Sequence, residues 1–153
     1  MTKAKWDLQR LGKNSEERFL EEWLNFEIDG SLGDPLPVCP VLGSHLYHIY
    51  GLWCERHGER KRGAKDLISL CGKQHGWRAG DSCATWDTFQ DRTIKKRKMI
   101  IPGPATLAEA AKRAGEHQGR RARLVIPQKD GQTMAEWLTD GYFTFGQAAG
   151  LIE

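Results

Sequence analysis

Two cysteine–histidine pairs are the residues of this chain best suited to hold a metal ion. Cys54 and His57 are three residues apart, and Cys71 and His75 are four apart, so each pair would share one face of a helix. Two thiolates and two imidazoles form one of the ligand sets of tetrahedral structural zinc. Free cysteine, however, is also among the most buried residue types and packs as a small apolar side chain. We adopt this second interpretation and predict neither a metal nor a cofactor.

Catalytic motifs are not found in the sequence. It contains no Gly-x-Ser-x-Gly elbow, no His-Glu-x-x-His motif and no Gly-x-x-x-x-Gly-Lys-Ser/Thr phosphate loop. His45 and His48 flank Tyr47 and could act as an acid–base pair, but we interpret them as surface or capping residues. The chain is therefore predicted to be a binding protein and not an enzyme.

Basic residues are concentrated in the middle of the chain. Residues 1–43 hold five Lys/Arg against eight Asp/Glu, residues 44–103 hold twelve against six, and residues 104–153 hold six of each, within a net charge of +3. Lysine and arginine bind nucleic acid by displacing the counterions of its phosphates. The alternative is that the central charges form a solvated face.

Two amphipathic helices lie within this basic segment. The first is predicted to follow Ser44 as its N-cap and to end near Gly58, with apolar residues at helical spacing. These residues are Leu46, Ile49, Tyr50 and Trp53. After a polar turn over residues 59–63, a second apolar period follows at Leu67, Ile68 and Leu70. Two short helices joined by a basic turn have the outline of a helix-turn-helix.

A β-hairpin is predicted after His75. Residues 76–80 open it, residues 82–90 are rich in threonine and aromatic residues, and residues 93–101 form the clearest strand. The hairpin would be a wing carrying the basic run Lys95–Lys98. A similar order of basic cluster, aliphatic residues and proline recurs at residues 120–127, either by chance or because two basic strands lie side by side.

The sequence Leu-Tyr-x-x-Tyr-x-x-Trp-Cys-Glu-x-x-Gly at residues 46–58 resembles a known family. It is similar to the C-terminal winged-helix region of phage and plasmid primase-helicases of superfamily 3, poxvirus-type group. The resemblance covers roughly residues 15–103 and implies a winged-helix fold in a protein of a phage or other mobile element. The ATPase and primase portions of that family have no counterpart in this sequence, so the family's helicase activity is not carried over.

The flanking regions complete an α+β prediction. Residues 1–13 are predicted to be a flexible arm, in which Trp6, Leu8 and Leu11 could dock on the body. A helix begins at Asn14 or Ser15 with a capping box from Asn14 to Glu17, and residues 29–43 are predicted to form a loop with a short extended piece at Val38. The winged helix-turn-helix, including this N-terminal helix, would span residues 14–103.

Residues 104–153 are predicted to be a small C-terminal α/β extension. A capping box from Thr106 to Glu109 would start a helix through Ala114, a strand would follow, and Thr133 would cap the first of two short helical pieces. The aromatic patch of this tail is interpreted as core, with an oligomer or partner contact as the alternative. Its members are Trp137, Leu138, Tyr142, Phe143 and Phe145.

Length and composition are typical of a small cytoplasmic protein. A chain of 153 residues supports one domain or a domain with an appendage. No apolar run approaches the roughly 20 residues that span a bilayer, and no charged-then-apolar leader is visible. The cysteines, Cys39, Cys54, Cys71 and Cys83, are scattered, which favours a reducing compartment.

These observations predict a winged-helix protein that binds double-stranded DNA and assists replication or regulation. The predicted phosphate and base contacts are Arg60, Lys61, Arg62, Lys65, Ser69, Lys73, Lys95, Lys96, Arg97 and Lys98. The alternative is a phage-encoded interaction module that inhibits or recruits a host complex, such as an inhibitor of the anti-CRISPR type. Neither hypothesis involves a membrane.

Overall fold

The protein has a mixed α+β architecture, as predicted. A computed structural model describes residues 14–31, 33–87, 93–115 and 124–152; the predicted arm at 1–13 and the basic cluster at 120–123 lie outside these residues. The described elements are, in chain order, α1 (Ser15–Leu24), β1 (Val41–Leu42), α2 (Gly43–His57), α3 (Ala64–Lys73), β2 (Arg78–Asp87), β3 (Thr93–Ile101), α4 (Pro104–Ala114) and α5 (Met134–Ala148).

The strands form one antiparallel sheet in the order β1-β3-β2. β2 and β3 form the predicted hairpin, with a bulge on β2 between Ala79 and Ser82. β1 was not predicted, because a strand of two residues is too short to show a period. The extended piece expected at Val38 makes an isolated parallel bridge with Val125. Both edges of β3 near Ile100 are occupied by β1 and β2, so residues 124–126 pair with Val38 and not with β3.

Helix starts differ from the predicted caps more than helix ends do. Asn14 is the N-cap of α1 but its side chain makes no capping hydrogen bond, and α2 begins at Gly43 directly from β1, one residue before the predicted cap Ser44. The predicted start at Thr106 is wrong, because α4 begins at Pro104, whose missing N–H costs nothing in the first turn. Gly58 ends α2 in the left-handed conformation, with φ +63°, as predicted.

The C-terminal segment forms one continuous helix. Thr133 caps α5, as predicted, and does so through a capping box: the Glu136 N–H donates to the Thr133 hydroxyl at 3.1 Å, and the Thr133 N–H donates to Glu136 Oε1 at 3.4 Å. The helix then continues to Ala148, so the prediction of two short pieces is wrong. Gly141 lets α5 approach the backbone of Pro40, where a Cβ would clash with the Pro40 carbonyl oxygen. None of the described helices combines the length and apolarity needed to cross a bilayer.

One hydrophobic core joins the N-terminal, central and C-terminal elements. Trp23 of α1 is fully buried and donates from Nε1 to the Pro37 carbonyl at 3.0 Å. Its ring makes edge contacts with Trp77, before β2, at 6.3 Å and with Phe145 of α5 at 6.0 Å. The predicted core residues Tyr50, Trp53 and Leu67 are also buried, and Leu70 is half-buried. The tail packs inward, with Trp137, Leu138 and Phe145 all in the core.

Candidate nucleic-acid interface

The outer face of α3 is polar and basic. Lys65, Ser69 and Lys73 recur every four residues and are all exposed, while Leu67 and Cys71 lie on the opposite side of the helix and are fully buried. The burial of Leu67 and Cys71 fixes the rotation of α3 about its axis. The predicted contact residues of this helix therefore point to solvent together.

Alternate residues of β3 extend this surface. Ala79 of β2 faces α3, since its Cβ lies 3.9 Å from the position a Cβ would take on Gly72. Ile100 pairs directly with Ala79, so its side chain lies on the same face of the sheet. The bulge is on β2, and β3 alternates regularly, which places Lys98 and Lys96 on that face as well. Both lysines are exposed.

Arg97 lies on the opposite face of the sheet, against α5. Its guanidinium carbon is 4.5 Å from the centre of the Tyr142 ring, and its Nη1 donates to the hydroxyl of Thr85, which is fully buried. The His45 ring of α2 also stacks on Tyr142, with centroids 5.3 Å apart. Arg97 thus links β3 to α5 and is separated from the predicted contacts Lys96 and Lys98. Lys95 pairs with Thr85 through its backbone, and its side chain lies outside the described part.

His45 is held in a poor environment for a positive charge. Burial lowers its pKa from the usual value, and the charges of His48 and Arg97 lower it further. Its Nδ1 is buried without a hydrogen-bond partner among the described residues. A neutral imidazole is therefore favoured between α2 and α5. His45 is half-buried and stacked on Tyr142, so the prediction that it is a surface or capping residue is wrong.

Arg62 is paired with acidic residues on both sides. Its guanidinium lies 3.4 Å from Glu16 of α1 and 3.7 Å from Asp66 of α3, and Glu16 is only 4% exposed. A buried carboxylate needs such a cation, so this pair anchors the turn to α1. The adjacent Arg60 and Lys61 are exposed, and Lys61 Nζ lies 4.7 Å from the centre of the Tyr47 ring. Arg62 is thus held within the protein by ion pairs to two carboxylates, on α1 and on α3.

The four residues of the zinc alternative do not assemble into a site. Within the described ranges, no three histidine, cysteine, aspartate or glutamate side chains form a group that could hold a metal ion. Cys54 and Cys71 are buried, and burial raises the pKa of Cys71 to about 12, which disfavours the thiolate that zinc requires. His57 stacks on Trp53 with ring centres 4.5 Å apart, and His75 is exposed.

Comparisons with known proteins add no relative from which a role could be transferred. No family model matches the chain, and no significant match was found among curated proteins or solved structures. We use the term basic face for the exposed members of the predicted contact set: Arg60 and Lys61 of the turn, Lys65, Ser69 and Lys73 of α3, and Lys96 and Lys98 of β3.

Proposed function

We propose that this protein binds double-stranded DNA through the basic face, as a winged-helix protein without enzymatic activity. The observation that carries the proposal is that Lys96 and Lys98 share a sheet face with α3, whose exposed side carries Lys65 and Lys73. Two elements distant in sequence thus offer cations on the same side of the sheet. Cations clustered on one surface favour phosphate binding, because together they displace the counterions of the nucleic-acid backbone.

The order of the elements supports the winged-helix interpretation. A helix, a short strand, two helices and a hairpin follow one another, and the short strand pairs with the second strand of the hairpin. In this arrangement α3 would enter the major groove, which is wide enough to admit a helix. Lys65 and Ser69 would lie toward base edges, and the turn and β3 would contact phosphates.

The contacts within the protein narrow the predicted set of DNA contacts. Arg62 and Arg97 each have partners that hold them, Glu16 and Asp66 for the first and Thr85 and Tyr142 for the second. Moving either cation to a phosphate would break those contacts, and Glu16 would remain buried without its partner. We therefore assign Arg62 and Arg97 to the framework of the protein and the residues of the basic face to DNA. An accessory role in replication or regulation of a mobile element follows from the family resemblance.

A salt series with fluorescently labelled duplex DNA tests the proposal. We expect binding at low salt, with the logarithm of the binding constant falling linearly against the logarithm of salt concentration by about 0.9 for each phosphate contacted. Lys65→Gln should cost about 1–3 kcal/mol at a preferred sequence and much less on random duplex if the side chain reaches a base. Ala64, the preceding exposed residue, offers a control as Ala64→Ser.

Absence of binding at low salt would refute the proposal, because electrostatic attraction is strongest there. The protein-interaction hypothesis would then take its place. That hypothesis predicts a complex that hardly responds to salt, since an apolar interface releases few ions.

A further inference from the structure

Two tyrosines of α2 hold a single residue of the turn that joins α2 to α3. Tyr47 donates from its hydroxyl to the carbonyl oxygen of Arg62 at 2.9 Å, and the Arg62 N–H donates to the Tyr50 hydroxyl at 3.0 Å. The tyrosines are three residues apart and therefore neighbours on one side of α2. Both backbone groups of Arg62 are thus satisfied by side chains, one residue before the N-cap of α3.

The Tyr50 hydroxyl also connects the turn to α1. Tyr50 is fully buried and lies 2.6 Å from the Ser15 hydroxyl, which is itself buried. Because Tyr50 accepts from Arg62, its own proton is free for Ser15. Burial raises the pKa of Tyr50, which keeps the phenol protonated, so that it can accept from the Arg62 N–H and donate to the Ser15 hydroxyl. A second link is the ion pair at 2.5 Å between Arg18 of α1 and Glu59 of the turn.

The tyrosines belong to the motif on which the family resemblance rests, yet the proposed DNA contacts do not use them. Over residues 60–63, the two tyrosine hydroxyls make the shortest side-chain hydrogen bonds to the backbone of the turn. The other two are longer, from the Ser15 hydroxyl to the Arg60 carbonyl oxygen at 3.4 Å and from the Gly63 N–H to Asp66 at 3.3 Å. Lys61 lies directly before the held residue and rests over the Tyr47 ring, while α3 begins two residues after it. The orientation of the cations of the turn and of α3 thus depends on the backbone of Arg62.

We propose that Tyr47 and Tyr50 are positioning residues for DNA binding, which hold the turn so that Lys61 and Lys65 face the same duplex. The inference rests on the proposed function. It concerns hydroxyl groups that contribute no charge to the basic face, so their effect on binding is separable from that of the lysines.

The test uses the variants Tyr47→Phe and Tyr50→Phe, each lacking one oxygen. The rings keep their packing: Tyr50 on Phe19 at 5.4 Å and Tyr47 beneath Lys61. Tyr142→Phe is the matched control, as the one remaining tyrosine of the sequence, and it retains a ring face for Arg97. Hydrogen exchange of the Arg62 amide, followed by NMR, should accelerate about two- to tenfold in Tyr50→Phe, the range expected for the loss of one hydrogen bond.

DNA binding is measured on the same variants, well below their unfolding temperatures. Since a less populated binding geometry lowers apparent affinity in proportion, we expect both variants to bind about two- to tenfold more weakly. The salt slope should also fall as lysines move away from the DNA, by up to about 0.9 for each phosphate that is no longer reached. Tyr142→Phe should match the unmodified protein in affinity and slope. A merely structural role would lower thermal stability and leave both quantities unchanged.

The outcomes separate this inference from the function on which it rests. No binding by the unmodified protein overturns both. If the unmodified protein binds and both variants bind as tightly with the same slope, the DNA-binding function stands and the positioning role is overturned. An unchanged exchange rate of the Arg62 amide in Tyr50→Phe likewise overturns it. Tyr47→Phe, which alters a partly exposed hydroxyl, provides the functional test if Tyr50→Phe fails to fold.

Discussion

The two faces of β3 use the same kind of residue in opposite ways. On the α3 side, Lys96 and Lys98 are exposed, whereas on the α5 side Arg97 lies between them in sequence and packs on Tyr142. A lysine head on a flexible chain stays hydrated, while the planar guanidinium of arginine is suited to lie over an aromatic ring. A run of basic residues therefore has no single function. The pleat of the strand divides it between a solvent-exposed surface and a packing contact.

The α5 side differs from the α3 side in a second respect. It brings together residues from three separate segments, with His45 of α2, Arg97 of β3 and Tyr142 of α5 in one group. On the α3 side, the exposed lysines of β3 and α3 face water. We therefore expect that removing the exposed lysines on the α3 side alters DNA binding. Removing Arg97 on the α5 side should instead alter the free energy of unfolding.

The largest expected effect tests whether the central helix α2 and the C-terminal helix α5 belong to one cooperative core. Trp53→Ala, on α2, and Phe145→Ala, on α5, should each lower the free energy of unfolding by about 3–5 kcal/mol, because both rings are buried. Urea denaturation followed by circular dichroism should show one transition in each case. Leu52→Ala is the control, as Leu52 is an exposed apolar residue of α2. A separate early transition in Phe145→Ala would show that α5 is an independent unit.

Neutralising the exposed lysines should change binding alone. Lys96→Gln combined with Lys98→Gln should reduce the salt slope of DNA binding by about 0.9 for each phosphate that these lysines contact. The melting temperature should stay the same, since exposed charges contribute little to stability. A salt slope equal to that of the unmodified protein would remove β3 from the interface.

Arg97→Gln should give the reverse result. The removal of its interactions with Thr85 and Tyr142 should lower the free energy of unfolding by about 1–2 kcal/mol. The salt slope measured on the folded protein should not change. If Arg97→Gln instead lowers the slope without affecting stability, the division between the two faces of β3 is wrong.

The smallest effect is a pH dependence centred on His45. The pKa of His45 is lowered in the folded protein, so the unfolded chain binds its proton more readily. The folded protein therefore has its full stability above about pH 6.5, the ordinary pKa of histidine, where His45 is neutral in both states. Stability is lost as the pH falls from there through the lowered pKa of the folded protein, because the unfolded chain takes up the proton first. His45→Phe keeps a ring against Tyr142 and should melt with a weaker dependence on pH in that window. His75→Gln, at an exposed histidine, is the control; equal pH profiles for all three proteins would contradict the prediction.

Local patterns in the sequence determined much of the fold. The apolar period from Leu46 to Trp53, the helix stop at Gly58 and the N-cap at Thr133 act within a few residues, so the sequence predicts them without a structure. The position of the basic segment and the existence of the hairpin follow in the same way. What these patterns indicated about the candidate site was therefore its segment of the chain and its residue types.

Tertiary structure decided which of those residues are exposed to solvent and which are held by contacts within the protein. β1 is a strand only because Val41 and Leu42 pair with β3, and a pattern of two residues is too short to predict that pairing. Glu16 and Arg62 are forty-six positions apart, and their ion pair exists because α1 packs against the turn. Arg97 is separated from its neighbouring lysines because α5 returns from the far end of the chain to cover one face of the sheet. Side-chain type is local information, whereas burial and partners depend on contacts between distant segments, which only the folded chain defines.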